Sequence, residues 1–384
     1  MASELVHFAP VLRGAAQQPP LQHFHAALRT GGDKVRIAFY GASSVAADRY
    51  TGYLRHYLQA RFGDGGPGFV AVVPLWRWHR HGAVRVTATK HWRVEHAQRK
   101  TGKLDGRYGL LGASVHSGNK RAKTTVAARK GATPVDSVEL WYLAQPDGGT
   151  AAVSVNGQSM TLDTGSPEFS PAYLAAEGFA PGPVALTIKP TGDGEVRLFG
   201  AVLERAGPGV VVDALGIGGT RAANMVLWDP PVWRDNLQRR DPALWVLAYG
   251  ANESVDEDEP IATYRANLED VMARLAAAAP EASCLLVGPV DFQREVTEPA
   301  PAWVERERCT DIIQVQREVA AAAGCGFFDA KAMMGGDGSM DAWSTAEPPL
   351  AKADHLHYTP LGYTHLGRVL TDAIMADFDD PPPR

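Results

Sequence analysis

The chain has 384 residues, of which 45% are hydrophobic and 21% charged, with a formal net charge of -5. These proportions exclude a disordered or fibrous protein and leave length for two or three domains with cores of their own. No stretch approaches the ~20 uninterrupted apolar residues of a membrane span, and the start of the chain lacks a basic segment followed by an apolar run, so no export signal is visible.

Residues 1 to 29 form an N-terminal extension before the first strong signal, "VRIAFYG" (35 to 41). A short unbroken run of β-branched and aromatic residues predicts a strand buried on both faces, as parallel sheets require. "GASS" follows and sets Ser43 and Ser44 where strand gives way to helix. A helix N-terminus offers N–H groups and partial positive charge to a developing oxyanion, so a nucleophilic serine suits that position, although a serine there also serves as a plain N-cap. "TGYLRHYLQARFG" (51 to 63) then predicts a helix stopped by Gly63.

From about 80 to 205 the texture changes. Short β-like runs, among them "AVRVTAT", "VELWYLA", "AAVSVNG", "VALTIKP" and "VRLFGAVLE", alternate with turn-forming "PDGG", "VNG" and "TGDG". This pattern predicts a β-sandwich or jelly roll, inserted as a self-contained unit. Arg77 to Gly131 carries 14 lysines and arginines against Glu95 and Asp105 alone, so one part of the molecule is basic and the remainder acidic. The segment lacks the known nucleic-acid-binding motifs, and no nucleic-acid partner is expected. A solvated face and a contact with an anionic glycan are the two readings left, and Trp76, Trp78 and Trp92 suit either a core or stacking on sugars.

Past the insertion, "VVVDALG" (210 to 216), "LWVLAYG" (244 to 250), "CLLVGPV" (284 to 290) and "CGFFDA" (325 to 330) read as four more buried strands. Most are separated by helical stretches such as "YRANLEDVMARLAAAA" (264 to 279) and "IIQVQREVAAAAG" (312 to 324). Together with the first strand they predict a three-layer α/β/α, flavodoxin-like domain with a five-stranded parallel sheet, assembled from 30–79 and 206–384 around a module at 80–205. Cys284, Cys309 and Cys325, an odd set without CxxC spacing, read as buried thiols rather than as a disulfide framework or zinc site.

Such sheets bind ligands at the carboxyl ends of their strands, and several of these ends carry useful groups. "GIGGTR" exposes the N–H of Gly219, and "GANES" offers the side-chain amide of Asn252. "ADHLHYTPLGYTHLG" (353 to 367) packs Asp354, His355 and His357 in front of the last helix. A serine becomes nucleophilic when an imidazole takes its proton and a carboxylate fixes the imidazole tautomer. Asp354 and His357 can do this from one loop.

The four blocks "GAS", "GIGG", "GANE" and "DHLH", in this order, resemble the SGNH (GDSL-type) hydrolase superfamily. The resemblance implies that Ser43 is the nucleophile, His357 the base and Asp354 the orienting acid. It further implies an oxyanion hole from Ser43, Gly219 and Asn252, and neither metal nor cofactor. His355 takes no role in that pattern. The sequence departs from it at Ala42, where the family has Asp, and at Glu253, the end of "GANE".

"DRYTGYLRHYLQARFGDGGPGFV" (48 to 70), the β-rich insertion and "MMGGDGSMDAW" (333 to 343) resemble the subgroup of peptidoglycan and related polysaccharide O-acetylesterases, in which the inserted β-module is carbohydrate-binding-like. The implied activity is a metal-independent serine esterase that removes O-acetyl groups from a polysaccharide, in the cell envelope or secreted. The implied partner is an acylated polysaccharide or small ester; the oligomeric state is left unset.

The residues leave other readings open. An O-acyltransferase would use the same groups, and a glycan-binding protein of weak activity would fit Ala42. A metal hydrolase would use His355 and His357 beside Asp354, with His79, His81, His91 and His96 elsewhere. "GDGGPG" (63 to 68) lacks the Lys-Ser/Thr pair of a phosphate loop and reads as a turn.

Overall fold

The computed structural model describes residues 19–379 apart from 177, 178, 180 and 301. Most of the N-terminal extension and the tail from residue 380 lie outside these described residues. Five parallel strands, Lys34–Gly41, Gly209–Gly216, Leu244–Ala248, Ser283–Val287 and Gly326–Phe328, lie side by side in the order second, first, third, fourth, fifth. This is a doubly wound order, which reverses direction at the first strand and opens a crevice beside it.

The strands read as unbroken apolar runs because alternate side chains feed two separate cores. Ile37 and Phe39, with Val212, Val246 and Leu285, pack toward helices Gln22–Thr30, Tyr50–Phe62 and Pro360–Asp379. Ala38 and Tyr40, with Leu215, Trp245, Leu247 and Leu286, pack toward Pro230–Arg240, Ile261–Ala278 and Glu307–Ala322. The register sets Gly41 level with Gly216 on one side and Ala248 on the other, so three strand ends share one edge. Close approach there requires glycine: a Cβ on Gly41 would lie 2.3 Å from Val45 Cγ2, and one on Gly216 2.3 Å from the Ala46 nitrogen.

The insertion forms two antiparallel sheets. One holds Ser170–Ala176, Ser137–Ala144, Val196–Glu204, Ala113–Ser117 and Arg93–His96, and the other Val84–Ala88, Thr124–Ala128, Ala185–Pro190, Thr150–Val155 and Gln158–Asp163. They share a core in which Val138, Leu140 and Leu198 of the first meet Val126, Val153 and Leu186 of the second. Strand Gly68–Val70 also pairs with Val196–Glu204, so the antiparallel pairing starts ahead of the change in sequence texture at residue 80. Strands such as Arg93–His96 ("RVEH") escape a sequence reading because four residues with one clear apolar position give too little periodicity.

The cysteines differ from expectation. Cys284 and Cys325 form a disulfide, and Cys309 alone is a buried free thiol. The fourth and fifth strands pair Leu285 with Gly326, which sets the two preceding cysteines opposite each other, a juxtaposition that spacing along the chain does not reveal. Among the described residues no helix is long and apolar enough to cross a membrane.

Module and sheet meet at a buried ionic junction. Arg240 donates to Asp213 at 2.5 and 3.1 Å and to Glu204 at 2.5 Å, and Arg36 donates to Glu204 at 2.9 Å. Asp213 also accepts the Phe69 N–H at 2.7 Å, tying the start of the module to the second parallel strand. Burial alone would raise the Glu204 carboxyl, but Arg240 and Arg36 outweigh it and hold the group at about 2. A depressed carboxyl stabilises the fold above its unfolded value of 4.5, and that contribution fades as pH falls toward about 2. Arg240→Met leaves buried Asp213 without its cation and Glu204 with Arg36 alone, and is expected to cost about 3–5 kcal/mol in urea unfolding; a loss under ~1 kcal/mol would show that the junction carries no such weight. In the wild type the urea midpoint should fall between pH 4.5 and about 2, with a smaller fall in Glu204→Gln.

Candidate active site

Strand Lys34–Gly41 runs directly into the short helix Ser43–Ala46, so Ser43 stands at the carboxyl edge of the sheet with its N–H at the helix start. Its Oγ lies 3.0 Å from His357 Nε2. His357 Nδ1 lies 2.9 Å from Asp354 Oδ2, and the other Asp354 oxygen accepts the N–H of His357 at 2.8 Å and of Leu356 at 3.1 Å. Burial pushes the Asp354 carboxyl up, but these N–H groups and the imidazole prevail and hold it below its usual value. Ser44 turns away, its Oγ 3.2 Å from the Tyr363 hydroxyl.

His355 points to the other side of the loop. Its backbone is left-handed, φ 48°, and its ring stacks on Trp303 with centroids 3.7 Å apart. Its Nδ1 lies 2.7 Å from Gln293 Oε1 and its Nε2 3.3 Å from Ser344 Oγ. Both nitrogens of both imidazoles are thus taken by protein groups, so His355 and His357 do not converge on a common point as the metal reading requires. Among the described residues, Asp291, Glu305 and Asp337 come close enough to share a cation. Lys331 already supplies one, its Nζ 2.6 Å from Asp337, 2.9 Å from Glu305 and 3.4 Å from Asp291.

The other two sequence-predicted groups lie on neighbouring turns. Gly219 has φ 78°, and its carbonyl accepts from Gln98 of the inserted module at 2.5 Å. Asn252 donates one amide hydrogen to the Thr220 carbonyl at 2.8 Å, which leaves its second hydrogen unspent. Glu253 is the group the sequence reading undervalued. Buried, it accepts the N–H of Ala222 at 2.8 Å and of Gly250 at 2.9 Å, clamping the two turns together. Burial raises its carboxyl against the lowering effect of those N–H groups. A cavity of about 60 Å³ is lined by Ser43, Ala251, Asn252, Pro289 and Leu356 among others.

A serine, an imidazole and a carboxylate in one hydrogen-bonded line at the carboxyl edge of a parallel sheet form the arrangement that serine hydrolases use. Residues 176–365 match the model of the GDSL-like Lipase/Acylhydrolase family. The match spans just under half of the chain and makes that part similar to those acylhydrolases, and with the site's geometry the protein is a serine esterase. Among solved structures, "Peptidoglycan O-acetylesterase in action, 5 min" is 24% identical and superposes with a TM-score of 0.76, covering 95% of this chain and 97% of that one. A family two carbohydrate esterase from Cellvibrio japonicus, 12% identical, covers 77% of this chain and 98% of its own at a TM-score of 0.30. The salicylyl-acyltransferase SsfX3 is 14% identical, with coverages of 79% and 97% and a TM-score of 0.32. No curated protein sequence matches the chain.

Glu253 ties the Gly250 turn, which leads to Asn252, to Ala222 beyond the Gly219 turn, so any effect it has on the site is one of position. Glu253→Gln replaces one acceptor by a donor and is expected to lower kcat on p-nitrophenyl acetate roughly 10- to 100-fold with KM nearly unchanged, as small misplacements in active sites do. Unaltered kcat in the folded variant would remove Glu253 from the site.

Proposed function

We propose that the protein removes O-acetyl groups from a polysaccharide through a Ser43–His357–Asp354 triad. The observation that carries this reading is the continuous line from Ser43 Oγ to His357 at 3.0 Å and on to Asp354 at 2.9 Å. Ser43 Oγ attacks the ester carbonyl while His357 Nε2 takes its proton, and Asp354 holds the imidazole in the tautomer that can accept it. The charge that develops on the carbonyl oxygen is received by the N–H groups of Ser43 and Gly219 and by the spare amide hydrogen of Asn252. The imidazolium then protonates the departing sugar oxygen, and the same base activates a water that releases acetate and restores Ser43.

The small cavity beside Ser43 supports a small acyl group, which an acetyl satisfies. The inserted sheets, as a sandwich or jelly roll of carbohydrate-binding kind, would hold the polymer; Trp78, 57% exposed, is available for sugar stacking, whereas Trp92 belongs to the module's core. Peptidoglycan as the polymer and the cell envelope as the setting draw on the printed name of the 24%-identical structure. The Cys284–Cys325 disulfide supports that setting, because such bonds persist in oxidising compartments.

Ser43→Ala and His357→Ala are expected to lower turnover of p-nitrophenyl acetate by about 10⁴-fold or more, Asn252→Ala by about 10²–10³, and Ser44→Ala little. EDTA should leave the wild type unaffected. A dead Ser44→Ala beside an active Ser43→Ala, or loss of activity with EDTA, would overturn the mechanism. Release of acetate from O-acetylated peptidoglycan, measured against acetylated xylan, tests the polymer.

A further inference from the structure

The larger void lies where the module meets the α/β domain. It measures about 510 Å³, and its lining includes Trp76, Arg77, Arg80, His81, Arg85 and Arg129 and, among the described residues, no carboxylate. Arg129 is engaged by the fold, donating to the carbonyls of His81 and Val84 at 3.1 and 3.0 Å. Arg77 lies over the exposed Trp78 ring, 4.5 Å from its centroid. Arg80 and Arg85 are exposed, and neither is paired with a described carboxylate. Four guanidinium groups line the void, and the nearest described carboxylate, Asp48 behind His81, is already paired with Arg55, so the pocket is positive and its field is relieved when an anion enters.

The pocket also holds an unspent donor in its wall. His81 Nδ1 accepts the Ala83 N–H at 3.2 Å, which puts the ring proton on Nε2, and that atom is buried without a partner among the described residues. Buried polar atoms are seldom left so. Burial, reinforced by Arg55, lowers the imidazole to about 4, so the ring stays neutral and keeps this tautomer at ordinary pH.

Two residues of the pocket's lining touch the turns that carry Ser43 and Gly219. Arg80 gives its N–H to the Ala46 carbonyl at 3.1 Å, on the helix that begins with Ser43. Trp76 lies over Gly218, where an added Cβ would come within 2.9 Å of its ring. Gly218 directly precedes Gly219.

We propose that this pocket is a subsite for an anionic sugar, a carboxylate- or phosphate-bearing ring of the polysaccharide whose neighbouring ester reaches Ser43. It rests on the esterase reading above for its role, but not for its binding. Arginine forks supply the charge, and the indole of Trp76 in the lining supplies an apolar face for the ring.

Binding is therefore measured in full-length Ser43→Ala protein, by tryptophan fluorescence on adding trigalacturonate, glucose 6-phosphate or neutral xylotriose. At least one anionic ligand is expected to bind about 10-fold or more tightly than xylotriose. Arg80→Gln/Arg85→Gln in the same background should abolish that preference with the circular dichroism unchanged. Preference for trigalacturonate assigns a carboxylate, and for glucose 6-phosphate a phosphate. Equal binding of neutral and anionic ligands, binding of neither anion, or a preference that survives the double variant overturns the subsite. In the otherwise wild-type enzyme, Arg80→Gln/Arg85→Gln should alter turnover of p-nitrophenyl acetate less than about twofold; a large loss on that small ester would place the arginines at the reacting centre and also overturn it. Absence of ester turnover in the wild type would sink the esterase reading while leaving the binding result intact.

Discussion

The Asp354 carboxylate is the group on which the site's geometry turns. One oxygen accepts two backbone N–H groups of its own loop and the other meets the imidazole, so the same side chain shapes the loop and aims the ring. His355, in left-handed backbone between the two, anchors the opposite face by stacking on Trp303 and bonding Gln293. An imidazole near the end of the chain is thereby delivered to a serine 314 residues earlier. Orientation of this kind is set by the fold before any substrate arrives, which is how enzymes avoid reorganisation during the reaction.

Around that line, the inserted module acts as part of the site rather than as an appendage. Gln98 bonds the Gly219 carbonyl, Trp76 covers Gly218, and Arg80 is joined to the helix that begins with Ser43. A second anchor lies deeper: Asp48, paired with Arg55 at 2.9 Å, accepts the Gly82 N–H at 2.6 Å and so fixes the strap from Trp76 to Gly82 beneath the cavity. The family acid absent at Ala42 is not replaced in the chain's local turn. The buried Asp48 beyond the helix does the bracing of this region, with its carboxyl lowered to about 2 because Arg55 and His81 outweigh the effect of burial.

Much of this was legible in the sequence. The strands that carry Ser43, Gly219 and Asn252 are long apolar runs ending in glycine, and burial on both faces makes them easy to recognise. Asp354 and His357 share a loop, so their separation along the chain already bounds their separation in space. Glu253 was harder, because its value lies in accepting N–H groups from two turns, one of them 31 residues away. The Cys284–Cys325 bond was hidden for the same reason: strand pairing, not spacing, brings the thiols together. Arg240, Asp213 and Glu204 each look like ordinary charged residues until the fold buries them against one another.

The two strands by which the module enters and leaves are hydrogen-bonded to each other, Gly68–Val70 against Val196–Glu204. A domain hung on a flexible linker samples a volume, and its benefit to an attached active site is an effective concentration tuned by tether length. This one is clamped at its root, with a fixed bearing on the catalytic edge. A polymer seated on a module held in this way would be subject to register: its units would meet the serine at a set offset and direction, and lengthening the connection would blur that offset rather than extend the reach.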